Sequence, residues 1–455
     1  MVGTLLAGAP HFASGVKVGE VDQDSAIVWV RLTKEKSAKF GQLPIFTEGL
    51  RSKAQDKIEM PRDVVRGMKG KAIVFYWIKG DETNRRRSKW VSITSERDFT
   101  HQFKLENLKP NTRYEYVVGA INSLESGSES EITGEFKTAP SKDQAVPVSF
   151  IVSTCQAVRS IDSGREGHVA YKQMLDFKPD FFVHTGDILY YDKAPLCKTI
   201  DQARAKWNLM FSYRHNQKFH RHVSSYFMKD DHDTLKNDCY PGQTYGQLTF
   251  KQALSIFREQ VPMGEKTYRT FRWGKDVQIW MTENRDFRSS NRMKDGPEKT
   301  ILGAEQKAWL KKTIAESDAT YKFIITPGPI VGPDKKGKAD NHSNQAFYTE
   351  GQELRDFIAK QKNTYVICGD RHWQYCSQDP NTGVIELGCG PINDQHQFGG
   401  APKKDELMHR YFGKRGGFLA ITVKEGKAVA EWFITNEIDP ATGKPKLAHT
   451  EKLGL

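Results

Sequence analysis

Residues 181–190, Phe-Phe-Val-His-Thr-Gly-Asp-Ile-Leu-Tyr, decide how this sequence is interpreted. Phe181–Val183 is a short apolar run that predicts a buried strand, and side chains able to bind metal ions follow it directly. Gly186 permits the tight turn that projects the Asp187 carboxylate away from the strand end. Tyr190 lies three residues further on, so this stretch predicts a strand that delivers a carboxylate and a phenol to one site.

The same arrangement recurs after three other predicted strands. These strands and the polar residues that follow them are Val148–Thr154 with Cys155, Ser224–Met228 with Asp230–Asp233, and Tyr365–Cys368 with Gly369–His372. Open α/β sheets place ligand sites outside the carboxyl ends of their strands, so we expect the four segments to converge. Each segment alone also fits a turn, a core thiol or a helix cap. A thiol, carboxylates, a phenol and histidines at matched strand ends together favour a metal site.

The first 140 residues have a different sequence pattern, which predicts an all-β unit. Its strand-like runs are Ala26–Leu32, Ala72–Trp77 and Thr112–Val118. Several short strands separated by turns are typical of a small sandwich. Because Thr138–Asp143 has the composition of a linker, we expect a β-sandwich domain over residues 1–140 and a second domain over residues 146–455.

Beyond the linker, strand-like runs alternate with amphipathic helical runs, which predicts an α/β domain with helices covering a sheet. The predicted helices are Ser163–Phe177, Asp201–Phe211, Gly246–Val261, Ala304–Ala315 and one around Leu354 and Phe357. Val277–Met281 and Phe323–Ile325 are further predicted strands. Phe418–Val423 and Ala428–Phe433 predict a final hairpin.

Composition and charge narrow the function classes. The 455 residues are 38% hydrophobic and 27% charged, as in an ordinary soluble globular protein, and no apolar run is long enough to span a membrane. The net charge of +12 is spread along the chain and suits an enzyme that attracts anionic substrates. We interpret the densest basic cluster, Arg85–Arg87, as a solvated loop rather than a nucleic-acid patch. The six cysteines form no CxxC pair, which excludes zinc-ribbon and thioredoxin-type sites.

These motifs resemble those of the PhoD-like alkaline phosphatases, a branch of the calcineurin-like metallophosphoesterases that is related to purple acid phosphatases. The blocks that carry the resemblance are Gly15–Glu20, Ser25–Leu32, Ser153–Gln156, His184–Tyr190, Asp230–Asp233, Arg285–Arg288 and Gly369–Trp373. The similarity extends over nearly the whole chain, and the combination is more specific than any block alone. It implies a four-layer α/β/β/α metallophosphoesterase sandwich preceded by a small fibronectin-like all-β sandwich.

The resemblance also implies a set of metal ligands. An iron site takes Cys155, Asp187, Tyr190 and His372, and a neighbouring ion, often calcium, shares Asp187 and adds Asp231 and Asp370. A thiolate and a phenolate are anionic donors that suit Fe³⁺, whereas carboxylates suit a hard divalent ion such as Ca²⁺. Zn²⁺, Mn²⁺ or Mg²⁺ are the alternatives to these two ions.

The implied reaction is the hydrolysis of a phosphomonoester or phosphodiester by a metal-activated hydroxide that attacks phosphorus in line. By analogy, His232 is expected to protonate the leaving oxygen or to hold the phosphate. Arg285 is expected to bind the phosphate; Arg288 is a second candidate, for which a surface salt bridge is an equal alternative. The expected binding partner is then a small anionic phosphoester. Nucleic acid is considered only as a candidate substrate, not as a separate binding partner. The oligomeric state stays open.

Three further points follow from the resemblance or stay open beside it. Family members are commonly exported, so a secreted, periplasmic or cell-surface location is expected by analogy. His342 and His396 either line the pocket or lie exposed in loops. Whether Cys197 and Cys239 form a disulfide is open.

Two other functions compete with a phosphoesterase. One is a hydrolase of another anionic ester, such as a sulfate ester, because a fold does not fix the substrate. The other is a non-catalytic, metal-containing protein whose sandwich binds a glycan. The complete set of predicted ligands argues against this last function, because a site without catalysis is expected to have lost ligands.

Overall fold

The structure is a computed structural model that describes residues 8–42, 55–122, 129–396 and 401–454. The strands before residue 140 are β1 (Val16–Gly19), β2 (Ala26–Arg31), β3 (Gly70–Ile78), β4 (Arg86–Arg87), β5 (Val91–Ile93), β6 (Thr100–Leu105), β7 (Arg113–Ile121) and β8 (Glu129–Lys137). The strands after it are β9 (Val148–Ser153), β10 (Phe181–His184), β11 (Ser224–Phe227), β12 (Thr244–Tyr245), β13 (Leu248–Thr249), β14 (Arg269–Trp273), β15 (Val277–Met281), β16 (Tyr321–Thr326), β17 (Thr364–Cys368), β18 (Gln374–Gln378), β19 (Ile385–Cys389), β20 (His409–Gly413), β21 (Gly417–Lys424), β22 (Lys427–Ile438) and β23 (Pro445–Leu453). The α-helices are α1 (Val169–Asp176), α2 (Ile200–Met210), α3 (Arg214–His220), α4 (Asp231–Thr234), α5 (Phe250–Gln260), α6 (Ala304–Ala315) and α7 (Tyr348–Ile358).

Two large sheets face each other across an apolar interior. A nine-stranded sheet has the order β23-β22-β21-β9-β10-β11-β1-β2-β6, and a seven-stranded sheet has the order β14-β15-β16-β17-β19-β18-β20. Phe150 of β9 stacks on Phe181 of β10 and meets Phe323 of β16 edge to face, with ring centroids 4.7 and 5.3 Å apart. The core between the sheets is therefore built from the apolar strands that the sequence predicts.

Helices cover the outer faces of both sheets. Tyr171 of α1 and Phe219 of α3 pack against Phe182 of β10, on the side of the nine-stranded sheet that faces away from the core. Leu310 of α6 and Leu354 of α7 belong to a separate buried cluster on the seven-stranded sheet. The predicted four-layer α/β/β/α sandwich is confirmed by this arrangement.

The predicted β-sandwich is also present, but it is continuous with the rest of the molecule. Strands β1, β2 and β6 pack on a five-stranded sheet in which β3 pairs with β4, β5 and β7, and β7 pairs with β8. Strand β1 pairs in parallel with β11, with Gly19 opposite Ser225. One sheet of the sandwich is therefore an extension of the nine-stranded sheet, which joins the sandwich to the α/β layers by backbone hydrogen bonds.

Three local predictions are wrong in detail. The helix predicted over Gly246–Val261 begins only at Phe250, because Leu248–Thr249 forms strand β13. The helix expected over Ser163–Phe177 begins only at Val169, because Gly167 has a φ of 99° that an α-helix does not tolerate. The hairpin of β21 and β22 is not the final element, since β23 pairs with β22. Most side chains of β23 are exposed or half-buried, so its sequence lacks the regular apolar face by which a strand is recognised.

The helices among the described residues are all too short or too polar to cross a bilayer.

The pairing of β1 with β11 depends on the absence of a side chain at Gly19. A Cβ on Gly19 would lie 2.2 Å from the Ser225 carbonyl oxygen and 2.7 Å from Pro262 Cγ. We expect Gly19→Ala to lower the free energy of unfolding by about 1–3 kcal/mol, because backbone has to move to admit the methyl group. Urea denaturation measures this change.

Gly119→Ala is the matched control for Gly19→Ala. Gly119 also lies in a strand, but a Cβ on Gly119 would have Ile73 Cγ2 as its nearest neighbour, at 3.4 Å, an ordinary contact distance. Equal stability loss in the two variants would contradict the tight junction between β1 and β11.

Candidate metal centre

The predicted site segments meet because their strands end in register. His184 of β10 lies opposite Ser153 of β9 and Phe227 of β11, so the three strands end at one level of the nine-stranded sheet. Cys368 ends β17 opposite Thr326 in the facing seven-stranded sheet. The segments that follow these strands enter the same space from both sheets, as expected for a ligand site at the carboxyl ends of strands.

Four predicted ligands share an uncommon backbone conformation. Cys155, Asp187, Tyr190 and Asp370 have φ values of 47°, 58°, 61° and 59°. Non-glycine residues with positive φ carry a conformational cost, and such residues concentrate at functional sites. The conformation of these four residues therefore points to a functional site.

Close contact between two of the turns depends on Gly186. Its φ is 108°, and a Cβ there would lie 2.7 Å from the amide nitrogen of Asp230. A larger residue would therefore separate the turn that carries Asp187 from the segment that carries Asp230.

The four residues predicted to hold iron lie together. The Asp187 Oδ2 atom lies 3.6 Å from Cys155 Sγ and accepts a hydrogen bond of 2.8 Å from the Tyr190 hydroxyl. His372 Nε2 lies 3.2 Å from the same hydroxyl. Potential ligand atoms of Cys155, Asp187 and His372 all lie within 4.8 Å of one another.

The predicted ligands of the second ion fall into two groups that both include Asp187. One group consists of Asp187, Asp231 and His232, and the other of Asp187, Asp230 and Asp370; within each group the ligand atoms lie within 4.8 Å. Asp230 is an addition that the sequence analysis did not select. It directly follows Lys229 after β11, and the pair Asp230-Asp231 offers two carboxylates between which sequence alone does not decide.

The electrostatics of this cluster favour bound cations. Burial raises the pKa of Asp187 well above its usual range, and the nearby Asp230 and Asp231 carboxylates raise it further. Burial and the Asp187 charge likewise raise the pKa of the Cys155 thiol. Asp187 Oδ1 and Asp230 Oδ2 are buried and have no hydrogen-bond partner among the described residues. Buried carboxylates are stable only when protonated, paired or bound to metal, so the donor set fits metal ions.

His232 is held by a carboxylate that the sequence analysis missed. Its Nδ1 lies 2.6 Å from Asp192 Oδ1, and its ring stacks on Tyr190 at a centroid distance of 4.2 Å. Although burial alone would lower it, the surrounding carboxylates raise the pKa of His232 to about 10. Asp192 occupies Nδ1, so Nε2 is the ring nitrogen that remains for other contacts, and His232 belongs to one group with Asp187 and Asp231.

The two predicted phosphate-binding arginines have different surroundings. Arg285 Nε donates to Asp230 Oδ1 at 2.5 Å, and its Nη2 lies 3.9 Å from Asp231 Oδ1, which places the guanidinium against the acidic cluster. Arg288 is 4% exposed, so the alternative of a surface salt bridge is wrong. Its Nη2 donates to Asn291 Oδ1 and to the Asp340 carbonyl, both at 2.7 Å.

Asp233 stabilises the site by accepting backbone hydrogen bonds from two of its segments. Its Oδ1 accepts hydrogen bonds from the amides of Ile188 and Leu189 at 2.7 and 3.0 Å, and its Oδ2 accepts one from the Asp230 amide at 3.3 Å. One buried carboxylate thereby ties the turn of Asp187 to the segment of Asp230.

The two histidines that the sequence left open lie in different places. His396 is buried against the site, with ring centroids 4.8 Å from Tyr190 and 5.0 Å from His372. His342 is buried with its Nε2 2.9 Å from Glu350. Neither side chain is exposed.

All six cysteines, including Cys197 and Cys239, are buried free thiols, so the question of a disulfide between them is answered in the negative.

A family model described as "PhoD-like phosphatase" matches residues 150–415, and one described as "PhoD-like phosphatase, N-terminal domain" matches residues 4–140. The chain belongs to the PhoD-like phosphatase family. The resemblance inferred from the motifs is therefore confirmed.

Relatives of this PhoD-like chain are distant in sequence. Alkaline phosphatase D of Bacillus subtilis (strain 168) is 22% identical over 431 residues, which cover 81% of this chain and 66% of that protein. The chain thus spans slightly less than two thirds of that relative's length.

Two solved structures share the fold. A structure of PhoD is 18% identical with a TM-score of 0.74, and the match covers 97% of this chain and 90% of that one. A purple acid phosphatase, PPD1 from yellow lupin (Lupinus luteus) seeds, is 14% identical with a TM-score of 0.63, covering 97% and 74% respectively. At these identities the likeness concerns the fold.

The brace formed by Asp233 yields a prediction. Asp233→Ala leaves the amides of Ile188 and Leu189 without their acceptor, and we expect the free energy of unfolding to fall by about 2–4 kcal/mol. Chemical denaturation measures the loss, and metal analysis of the same preparation should show less bound metal. The exposed Asp143 offers a control, Asp143→Ala, that should match the wild type. Unchanged stability and metal content in Asp233→Ala would refute the bracing role.

Proposed function

We propose that this chain is a metal-dependent phosphoesterase that hydrolyses small anionic phosphomonoesters, phosphodiesters or both. The observation that carries the proposal is the position of Asp187. Its carboxylate belongs to a thiol–imidazole group on one side and to two carboxylate-containing groups on the other. A carboxylate shared in this way suits a bridge between two cations, and two adjacent cations are suited to phosphoryl transfer.

The two sides of Asp187 differ in chemistry, which supports two different ions. Cys155, Tyr190 and His372 offer a thiolate, a phenolate and an imidazole, and we assign this side to Fe³⁺. Asp230, Asp231 and Asp370 offer carboxylate oxygens, and we assign this side to Ca²⁺, with Zn²⁺, Mn²⁺ or Mg²⁺ as alternatives. Such ions supply Lewis acidity, which lowers the pKa of water and neutralises charge on phosphoryl oxygens.

His232 is assigned the transfer of a proton to the leaving oxygen. The hydrogen bond from Nδ1 to Asp192 fixes the ring orientation and favours the protonated ring, so that Nε2 presents a proton towards the acidic cluster. Asp192 is a positioning residue in this scheme, because it acts through His232.

Arg285 is assigned to the phosphate oxygens. Its guanidinium already contacts Asp230, and Nη2 points towards Asp231 at a distance too long for a hydrogen bond, which leaves donors for a substrate oxygen. Arg288 remains a second candidate, although its contacts with Asn291 and the Asp340 carbonyl favour a supporting position. Export to the periplasm, cell surface or medium remains part of the proposal, by family analogy alone.

Substrate turnover tests the proposed reaction. We expect the purified chain to hydrolyse 4-nitrophenyl phosphate or its bis-ester, and to leave 4-nitrophenyl sulfate intact. Asp187→Asn should abolish this turnover because the shared carboxylate is lost, whereas Asp176→Asn, at the exposed C-terminal aspartate of α1, should retain it.

Two results separate the competing functions, and a third tests the role of Asp187. Turnover of the sulfate alone would favour a sulfatase, and no turnover of any ester in the metal-loaded protein would favour a binding protein. Near-native kinetics in Asp187→Asn would remove Asp187 from the site.

Visible absorption tests the iron assignment. We expect the pure protein to contain iron and to be coloured, because thiolate and phenolate ligands transfer charge to Fe³⁺. Cys155→Ser should change the absorption band and lower the iron content. Cys197→Ser should keep both, since this buried thiol contacts the Gln202 carbonyl rather than the predicted ligands. A colourless protein containing zinc alone would contradict the assignment.

A further inference from the structure

A segment rich in lysine lies beside the acidic ligands. We call residues 334–341, Asp-Lys-Lys-Gly-Lys-Ala-Asp-Asn, the lysine loop; it follows β16. The loop is closed on itself by a 2.7 Å hydrogen bond from Asn341 to Asp334. Arg371, between the predicted ligands Asp370 and His372, forms an ion pair with Asp334, and Arg288 donates to the Asp340 carbonyl. These contacts fix the loop against the metal centre.

Lys338 is the loop residue whose side chain approaches the acidic cluster through defined contacts. Its Nζ lies 3.1 Å from Asp238 Oδ1 and 3.6 Å from Asp340 Oδ2. The Asp238 amide in turn donates a hydrogen bond to Asp231 Oδ2. One residue, Asp238, therefore links the Lys338 ammonium to a predicted metal ligand.

The Lys338 ammonium keeps the capacity to bind another anion. A lysine ammonium has three donors, and the contact with Asp238 uses one of them, while the distance to Asp340 is longer than a hydrogen bond. The side chain is 26% exposed, in contrast to the 3% exposed Arg285 side chain deeper in the site. An anion bound by Lys338 would consequently lie further out than the phosphate that contacts Arg285.

We propose that Lys338 determines substrate specificity by binding a second anionic group that the phosphoester carries next to its scissile phosphate. The preferred substrate class is then a phosphoester whose leaving group bears a carboxylate or a further phosphate. This inference rests on the proposed phosphoesterase function and adds the class of substrate to it. Lysine suits the binding of a second anionic group, because its ammonium lies at the end of a flexible side chain and can donate hydrogen bonds to anions in many orientations.

Binding of two non-hydrolysable phosphonates tests the proposal without turnover. Dissociation constants of phenylphosphonate and 4-carboxyphenylphosphonate are measured by calorimetry on the metal-loaded full chain. The wild type is expected to bind the carboxylated compound more tightly. Lys338→Gln should reduce that advantage by about tenfold, the loss expected for one charge-assisted hydrogen bond.

Lys336→Gln is the matched control. Lys336 lies in the same loop and is exposed, so the same charge is removed without touching Asp238 or Asp340. The control should keep the full preference for the carboxylated phosphonate. If Lys336→Gln reduces the preference as much as Lys338→Gln does, a general field of the loop is responsible and the proposal is overturned.

Two further outcomes also overturn the inference. Equal weakening of both phosphonates in Lys338→Gln shows that Lys338 only supports Asp238 and Asp340. An absent preference in the wild type shows that no second anion is bound. The proposed phosphoesterase function does not depend on the preference for the carboxylated phosphonate or on Lys338. Turnover of 4-nitrophenyl phosphate by the wild type therefore shows that only the inference about Lys338 has failed.

Discussion

The accumulation of buried carboxylates around Asp187 is the constraint on which the rest of the site depends. Asp187, Asp230 and Asp231 are each at most 3% exposed, and hydrogen bonds within the described part of the chain leave oxygens of two of them without partners. Arg285 offsets part of this charge through Asp230. Because uncompensated buried charge costs several kcal/mol per group, bound cations would stabilise these carboxylates in their charged form.

The fold assembles this carboxylate cluster by placing strand ends of the two facing sheets next to each other. Strands β9, β10 and β11 end in register, and β17 ends opposite them in the facing sheet, so that short turns suffice to assemble the cluster. The positive φ values of Cys155, Asp187, Tyr190 and Asp370 show that the turns are strained at the predicted ligands.

The sequence predicted most of the residues that meet in the candidate site, because the strands that precede them are strongly apolar and end abruptly in polar residues. It did not identify Asp192, because the contact between Asp192 and His232 joins residues that are 40 positions apart and is made only by the tertiary fold. It did not select Asp230, because adjacent carboxylates are equivalent in sequence. The position of β1 beside β11 was equally out of reach, since pairing between distant strands depends on close approach at Gly19 rather than on local pattern.

We propose that the Asp187 carboxylate is shared by two cations of different chemistry. A crystal structure of the purified protein with anomalous scattering recorded above and below the iron edge tests it most directly. We expect an iron peak bonded to Cys155 and His372, and a second ion on the other side of Asp187 bonded to carboxylates. Peaks absent from this cluster, or Cys155 and His372 turned away from any ion, would contradict it.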